Sequence, residues 1–192
     1  MENQQLKLND LITSTSDNKV LNIYAMGEIN ENVSREIIET LLDAKWEEDK
    51  INTLNFFICS CGGNLGDCFA IIDMLNIIKQ TKKVKIITHG LGEVISAGFF
   101  LFLIGDSRIL HPSCRVFVHE HITTGIEGQT FGERVKQDKT EEKMVYTLYI
   151  DYIAKQLNMT DKKAKSLVKK NAWLNNEQID EFSIVTKDII NE

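Results

Sequence analysis

The stretch Glu93-Val94-Ile95-Ser96-Ala97-Gly98-Phe99-Phe100-Leu101-Phe102-Leu103-Ile104-Gly105 sets a hydroxyl at the mouth of the most apolar run in the chain. Val84 to His89, just upstream, is β-branched and apolar enough to predict a strand, and a helix is expected to begin near Ser96. A strand that turns directly into a helix is half of a parallel α/β unit, and the same step recurs upstream. Val20 to Gly27 predicts a first strand. Asn32 to Trp46 predicts a helix with Ile37, Ile38, Leu41 and Leu42 at helical spacing, capped by Asn32 or Ser34. Ile51 to Ser60 follows as a second strand, and Ala70 to Ile78 as a helix with Ile71, Met74, Leu75 and Ile78 on one face. Two short strands, 107–110 and 115–119, come after the Ser96 helix.

Strand alternating with helix implies an α/β fold with a largely parallel sheet and right-handed crossovers. Ligands of such folds meet the carboxyl ends of the strands. Both glycine-bearing turns, Ser60-Cys61-Gly62-Gly63 and the segment from Gly92 to Gly98, fall at such ends. Beyond His119 the character changes. Residues 132–157 predict one helix of about 35–40 Å, charged in its first half and apolar in its second through Val145, Leu148, Tyr149, Tyr152 and Ile153. A helix of that length projects from a compact body toward a partner. A shorter helix from Thr160, a turn over 171–176, a short helix over 177–182 and a last strand over 184–189 complete the chain. No repeat or linker interrupts it, so a single domain is expected.

The composition narrows the function classes. Apolar residues are 43% and charged residues 26%, with a net charge of −6, ordinary for a globular protein and unsuited to a dedicated nucleic-acid binder. The polar start Met1-Glu2-Asn3-Gln4-Gln5 lacks the layout of a secretory signal, and the apolar run 97–104 is too short to span a bilayer. No membrane association is expected. Cys59, Cys61, Cys68 and Cys114 are expected to be reduced thiols in a cytoplasmic protein.

A serine between a strand and a helix stands beside backbone N–H groups suited to an oxyanion. Equally, it serves as a helix cap, the commoner use of serine there. Val94 stands where the α/β-hydrolase elbow needs glycine, the glycine spacings do not make a dinucleotide fingerprint, and no Gly-Lys-Ser/Thr phosphate loop exists. A nucleophilic serine needs a base. Of the four histidines, His119 ends a strand at the edge where Ser96 is expected, and His89 is the weaker candidate. Cys59, Cys61 and the His119-Glu120-His121 pair lack the usual zinc spacings, so neither a metal nor any other cofactor is expected.

Ser60-Cys61-Gly62-Gly63, Glu93-Val94-Ile95-Ser96-Ala97-Gly98 and Pro112-Ser113-Cys114-Arg115-Val116-Phe117-Val118-His119, together with Gly125-Ile126-Glu127-Gly128-Gln129, resemble the ClpP family. ClpP is the proteolytic subunit of the ATP-dependent Clp protease. The likeness runs in order from about Val20 to Ile189, leaving 1–19 as a divergent N-terminal segment. It implies a ClpP/crotonase-like fold of repeated β-β-α units, with residues of about 120–158 as a projecting handle. It also implies that Ser96 is the nucleophile, His119 the general base, and Gly62 and Ala97 the oxyanion donors. The family's assembly, two stacked seven-membered rings fed with unfolded polypeptide by a separate AAA+ unfoldase, is implied for a homo-oligomer or for rings mixed with other ClpP-type subunits.

Three positions depart from the family pattern. Cys61 replaces a proline, Glu120-His121 replaces Gln-Pro after the base, and Asn171 stands where the family has its catalytic aspartate. Asparagine can accept a hydrogen bond from the imidazole but brings no charge. In a Ser-His-Asp triad that exchange lowers turnover about 10⁴-fold. Two expectations follow: a serine endopeptidase of reduced activity with Ser96, His119 and Asn171 as a nonstandard triad, or a weak or inactive subunit that assembles with an active Clp protease.

Overall fold

The computed structural model of the chain describes residues 19–120 and 131–186. In chain order the elements are β1 (Lys19–Ile29), α1 (Glu31–Asp43), β2 (Ile51–Gly63), α2 (Leu65–Lys82), β3 (Lys85–Ile95), α3 (Ala97–Leu103), β4 (Ser107–Leu110), β5 (Arg115–Val118), α4 (Phe131–Gln156), α5 (Asp161–Val168), β6 (Ala172–Trp173) and α6 (Asn176–Glu181). They form two compact units. The larger holds the chain up to Phe117 together with Leu174 onward, and the smaller runs from Val118 to Trp173.

In the larger unit the expected alternation produces a parallel sheet in the order β1-β2-β3-β5, with β4 also on β3. Leu54, Asn55, Phe56, Phe57 and Ile58 are all buried. A strand covered on both faces needs such a run rather than an alternating pattern. Strand β3 serves two partners in series: Ile87 to Gly90 pair with β4, and Glu93 to Ile95 pair with β5. All seven residues of α3 are buried, which is why its sequence is apolar on every side.

The helix boundaries differ from expectation at their starts. Helix α1 is capped by Asn30, whose Oδ1 accepts from the N–H groups of Asn32 and Val33 at 3.0 and 3.2 Å, so the cap lies before Asn32 and Ser34. Helix α2 begins at Leu65 because Asn64 caps it through the Asp67 N–H. It therefore runs a full turn ahead of the apolar face that announced it. Strands β2 and β3 extend beyond their expected ends, to Gly63 and Ile95, through glycines that read as turn residues.

In the smaller unit α4 matches the expected long helix, with Tyr149, Ile150, Ile153 and Ala154 buried, as is Leu157 just beyond its end. Ala164, Leu167 and Val168 of α5 are buried as well, and Thr160 caps that helix. No strand forms over 184–186. Instead the buried Arg108 side chain donates to the carbonyls of Ile184 and Ser183 at 2.6 and 3.1 Å, and Thr186 N–H donates to Arg108 O. The rest of that expected strand, the 125–129 motif and residues 1–18 lie outside the described residues.

Candidate active site

Ser96 occupies the link from β3 to α3 with φ 54° and ψ −120°. That combination is neither helical nor extended, and for a residue with a Cβ it costs on the order of 1–3 kcal/mol. The turn is held on both sides: Ser96 N–H donates to Phe117 O at 3.2 Å, and Ser96 O accepts from Phe99 N–H at 2.9 Å. Although Ser96 stands in the N-cap position, its hydroxyl makes no capping hydrogen bond. The commonest alternative use of this serine is therefore set aside.

Two Ser-x-Gly segments pack reciprocally around it. A Cβ on Gly62 would stand 2.6 Å from Ser96 Cβ and 3.2 Å from its Oγ, so only glycine lets β2 approach the serine this closely. Conversely, a Cβ on Gly98 would stand 3.0 Å from Ser60 Cβ and 3.2 Å from Ser60 O. Ser60 itself is 1% exposed. Its Oγ donates to Gly27 O at 2.6 Å and accepts from Gly62 N–H at 3.1 Å. Ser60 thus ties the ends of β1 and β2 together, a role that sequence reasoning missed, although the shared Ser-x-Gly spacing carries the signal. The Gly62 N–H, expected as an oxyanion donor, is engaged by this neighbour. Ala97, the other expected donor, is buried at the first position of α3.

His119 and Asn171 both belong to the smaller unit. His119 is half-buried, and its Nδ1 lies 2.5 Å from the carbonyl of Glu120. A carbonyl can only accept, so Nδ1 is the donor in this contact. Its own carbonyl accepts a hydrogen bond from the Tyr149 hydroxyl at 2.7 Å. Asn171 is exposed, with φ 47°, and its N–H donates to Val168 O at 3.3 Å just beyond α5. Asparagine tolerates that left-handed conformation, so the backbone gives its own reason for asparagine here.

His89, the weaker candidate base, is 1% exposed and committed elsewhere. Its ring stacks on Phe57 at 4.5 Å, its Nε2 lies 3.5 Å from Asn55 Oδ1, and His111 Nε2 lies 3.4 Å from its Nδ1. Asn55 Nδ2 in turn donates to Asn22 Oδ1 at 3.1 Å. Burial, with the neighbouring His111 second, pushes His89 down to about 4, and burial lowers His111 as well. Both imidazoles are neutral at pH 7. Burial likewise pushes the Cys114 thiol up to about 12, so it is not a thiolate. Among the described residues no cluster of three or more His, Cys, Asp or Glu could hold a metal, and no helix is long and apolar enough to cross a membrane.

A parallel α/β unit thus carries a strained serine at the carboxyl end of a strand, its hydroxyl free of capping. The sequence model described as Clp protease matches residues 4–192. The chain belongs to the Clp protease family, a family of peptidases. Curated proteins agree. It is 27% identical over 167 residues to the ATP-dependent Clp protease proteolytic subunit 2 of Treponema denticola, covering 86% of this chain and 80% of that protein. To the ATP-dependent Clp protease proteolytic subunit 2 of Pseudomonas aeruginosa it is 25% identical over 178 residues, covering 91% and 83%.

Proposed function

We propose that this chain is a serine endopeptidase subunit, with Ser96 as nucleophile, His119 as general base, Asn171 as an uncharged orienting group, and Ala97 and Gly62 as oxyanion donors, the Gly62 N–H exchanging its bond to Ser60 Oγ for the oxyanion. The observation that carries this reading is Ser96 itself. A strained, doubly anchored serine packed on a glycine, with no capping duty, spends stability on placing one hydroxyl. Its Oγ attacks the peptide carbonyl carbon while its proton passes to His119 Nε2. That proton then goes to the leaving amine, and water releases the acyl group. The substrate is unfolded polypeptide, fed by an AAA+ unfoldase into a chamber of stacked rings, homo-oligomeric or mixed with other ClpP-type subunits, in the cytoplasm. Family membership supports that assembly.

The test is labelling of the purified, assembled protein with a fluorophosphonate, together with cleavage of a short unstructured peptide. Stoichiometric labelling of Ser96 is expected, and no labelling would sink the peptidase reading. A second reading is a subunit that joins an active Clp protease without cutting. It is favoured by Asn171, whose φ of 47° accounts for asparagine without any catalytic duty. Unlabelled Ser96 in a protein that still assembles with an active partner is the outcome that selects it.

A further inference from the structure

Asn171 brings no charge to the imidazole, so how the main chain holds His119 matters more. Two contacts in the smaller unit bear on it. His119 Nδ1 donates to the Glu120 carbonyl, and the Tyr149 hydroxyl, donating at 2.7 Å, clamps the carbonyl of His119 itself. The two contacts bracket one peptide unit. The carbonyl held by Tyr149 belongs to the peptide that joins His119 to Glu120, and the next carbonyl along accepts the hydrogen bond from the imidazole.

We propose that Tyr149 is a positioning residue for His119, fixing the main chain from which the imidazole hangs and so keeping the ring aimed. This rests on the peptidase reading given above. Tyr149 is suited to the task. It is 3% exposed, on the same buried face of α4 as Ile150 and Ile153, and a ring so packed has little freedom to swing its hydroxyl away. Its hydroxyl acts on the backbone of the proposed base. A polar hydroxyl this deeply buried needs a partner. Phenylalanine would keep the packed ring, remove the donor, and leave the His119 carbonyl to move.

The experiment uses the full chain and the Tyr149→Phe variant. Loss of one neutral hydrogen bond at a positioning residue predicts a fall in kcat of about five- to tenfold with KM unchanged. Fluorophosphonate labelling of Ser96 is expected to slow by the same factor, and the melting midpoint to stay within a few degrees. Carbethoxylation by diethylpyrocarbonate, followed by peptide mass spectrometry, reads His119 directly. A loosened ring is expected to react several-fold faster at His119, while buried His89 serves as the internal reference. A merely structural role for Tyr149 predicts instead a lowered melting midpoint with kcat and His119 reactivity unchanged. Normal labelling of the wild type with no change in kcat or carbethoxylation in Tyr149→Phe overturns the inference alone. No labelling of wild-type Ser96 overturns the peptidase reading, and the catalytic meaning of Tyr149 with it.

Discussion

Gly62→Ala tests how Ser96, the proposed nucleophile, is held. The new methyl would lie 2.6 Å from Ser96 Cβ and 3.1 Å from Ile95 O, on a residue with φ +97°. Ordinary carbon–carbon contact is about 3.5–4.0 Å, so roughly 1 Å of movement is required. Ser96 cannot give it cheaply, because its N–H is tied to Phe117 O and its carbonyl to Phe99 N–H. The φ alone costs about 1–2 kcal/mol for any residue with a Cβ. Gly27→Ala separates that strain from the collision: its φ is +80°, yet a Cβ there meets nothing within 4 Å. Both variants are expected to lose about 1–2 kcal/mol of stability to the backbone. Only Gly62→Ala is expected to misplace Oγ, and a misplacement of about 1 Å costs on the order of 10²-fold in rate. The assay is the rate of fluorophosphonate labelling at Ser96 beside a thermal melt of each variant. Labelling of Gly62→Ala at the rate of Gly27→Ala would refute the claim that this glycine shapes the site.

Two further outcomes are expected. Asn171→Asp should raise peptide turnover, up to about 10⁴-fold if charge behind the imidazole is all that is missing, as measured by steady-state peptide cleavage; unchanged or lower activity removes the orienting role given to Asn171. Stability should fall in mild acid because of His89. Unfolded, it takes a proton near pH 6.5, whereas burial delays this to about pH 4 in the fold. The stabilisation is therefore complete above pH 6.5 and is lost as the pH falls through that window, about 2 kcal/mol between pH 7 and 5. Urea midpoints against pH are to be compared with His89→Gln, which does not titrate; equal slopes in both proteins rule this out.

What the sequence made legible follows from the range of each interaction. The alternation of strands and helices was readable because periodicity is local, whereas the glycines read as turns beside Ser96 lie in β2 and β3. Element ends were less readable. Asn30 and Asn64 start their helices earlier than the apolar faces do, and Gly62 and Gly63 stay in β2 because Glu28 and Ile29 pair with them after a bulge. Side chain-to-backbone bonds between distant segments left no pattern at all. Tyr149 reaches a carbonyl 30 residues away, and Arg108 holds a segment more than 70 residues on, which replaced the strand expected over 184–186. His89 was visible as a titratable residue at a strand end, but its burial among Phe57, Asn55 and His111 depends on two other segments.

The departures from the family pattern fall unevenly on the site. The reciprocal packing around the proposed nucleophile involves Ser60, Gly62, Ser96 and Gly98, while Cys61 between the first two is exposed. Asn171 changes something else, the charge available to an imidazolium. Geometry and charge enter the rate differently. A misplaced Oγ slows attack by any base, whereas a missing carboxylate destabilises only the charged state that forms as the proton moves. A chain that keeps the first and loses the second should still react stoichiometrically with a fluorophosphonate, only slowly. Its shortfall should be largest where the imidazolium is most developed, in peptide turnover. If instead Ser96 is unreactive while the Ser-x-Gly packing is intact, geometry without charge is insufficient, and the strained serine serves the architecture of a ring subunit that does not cut.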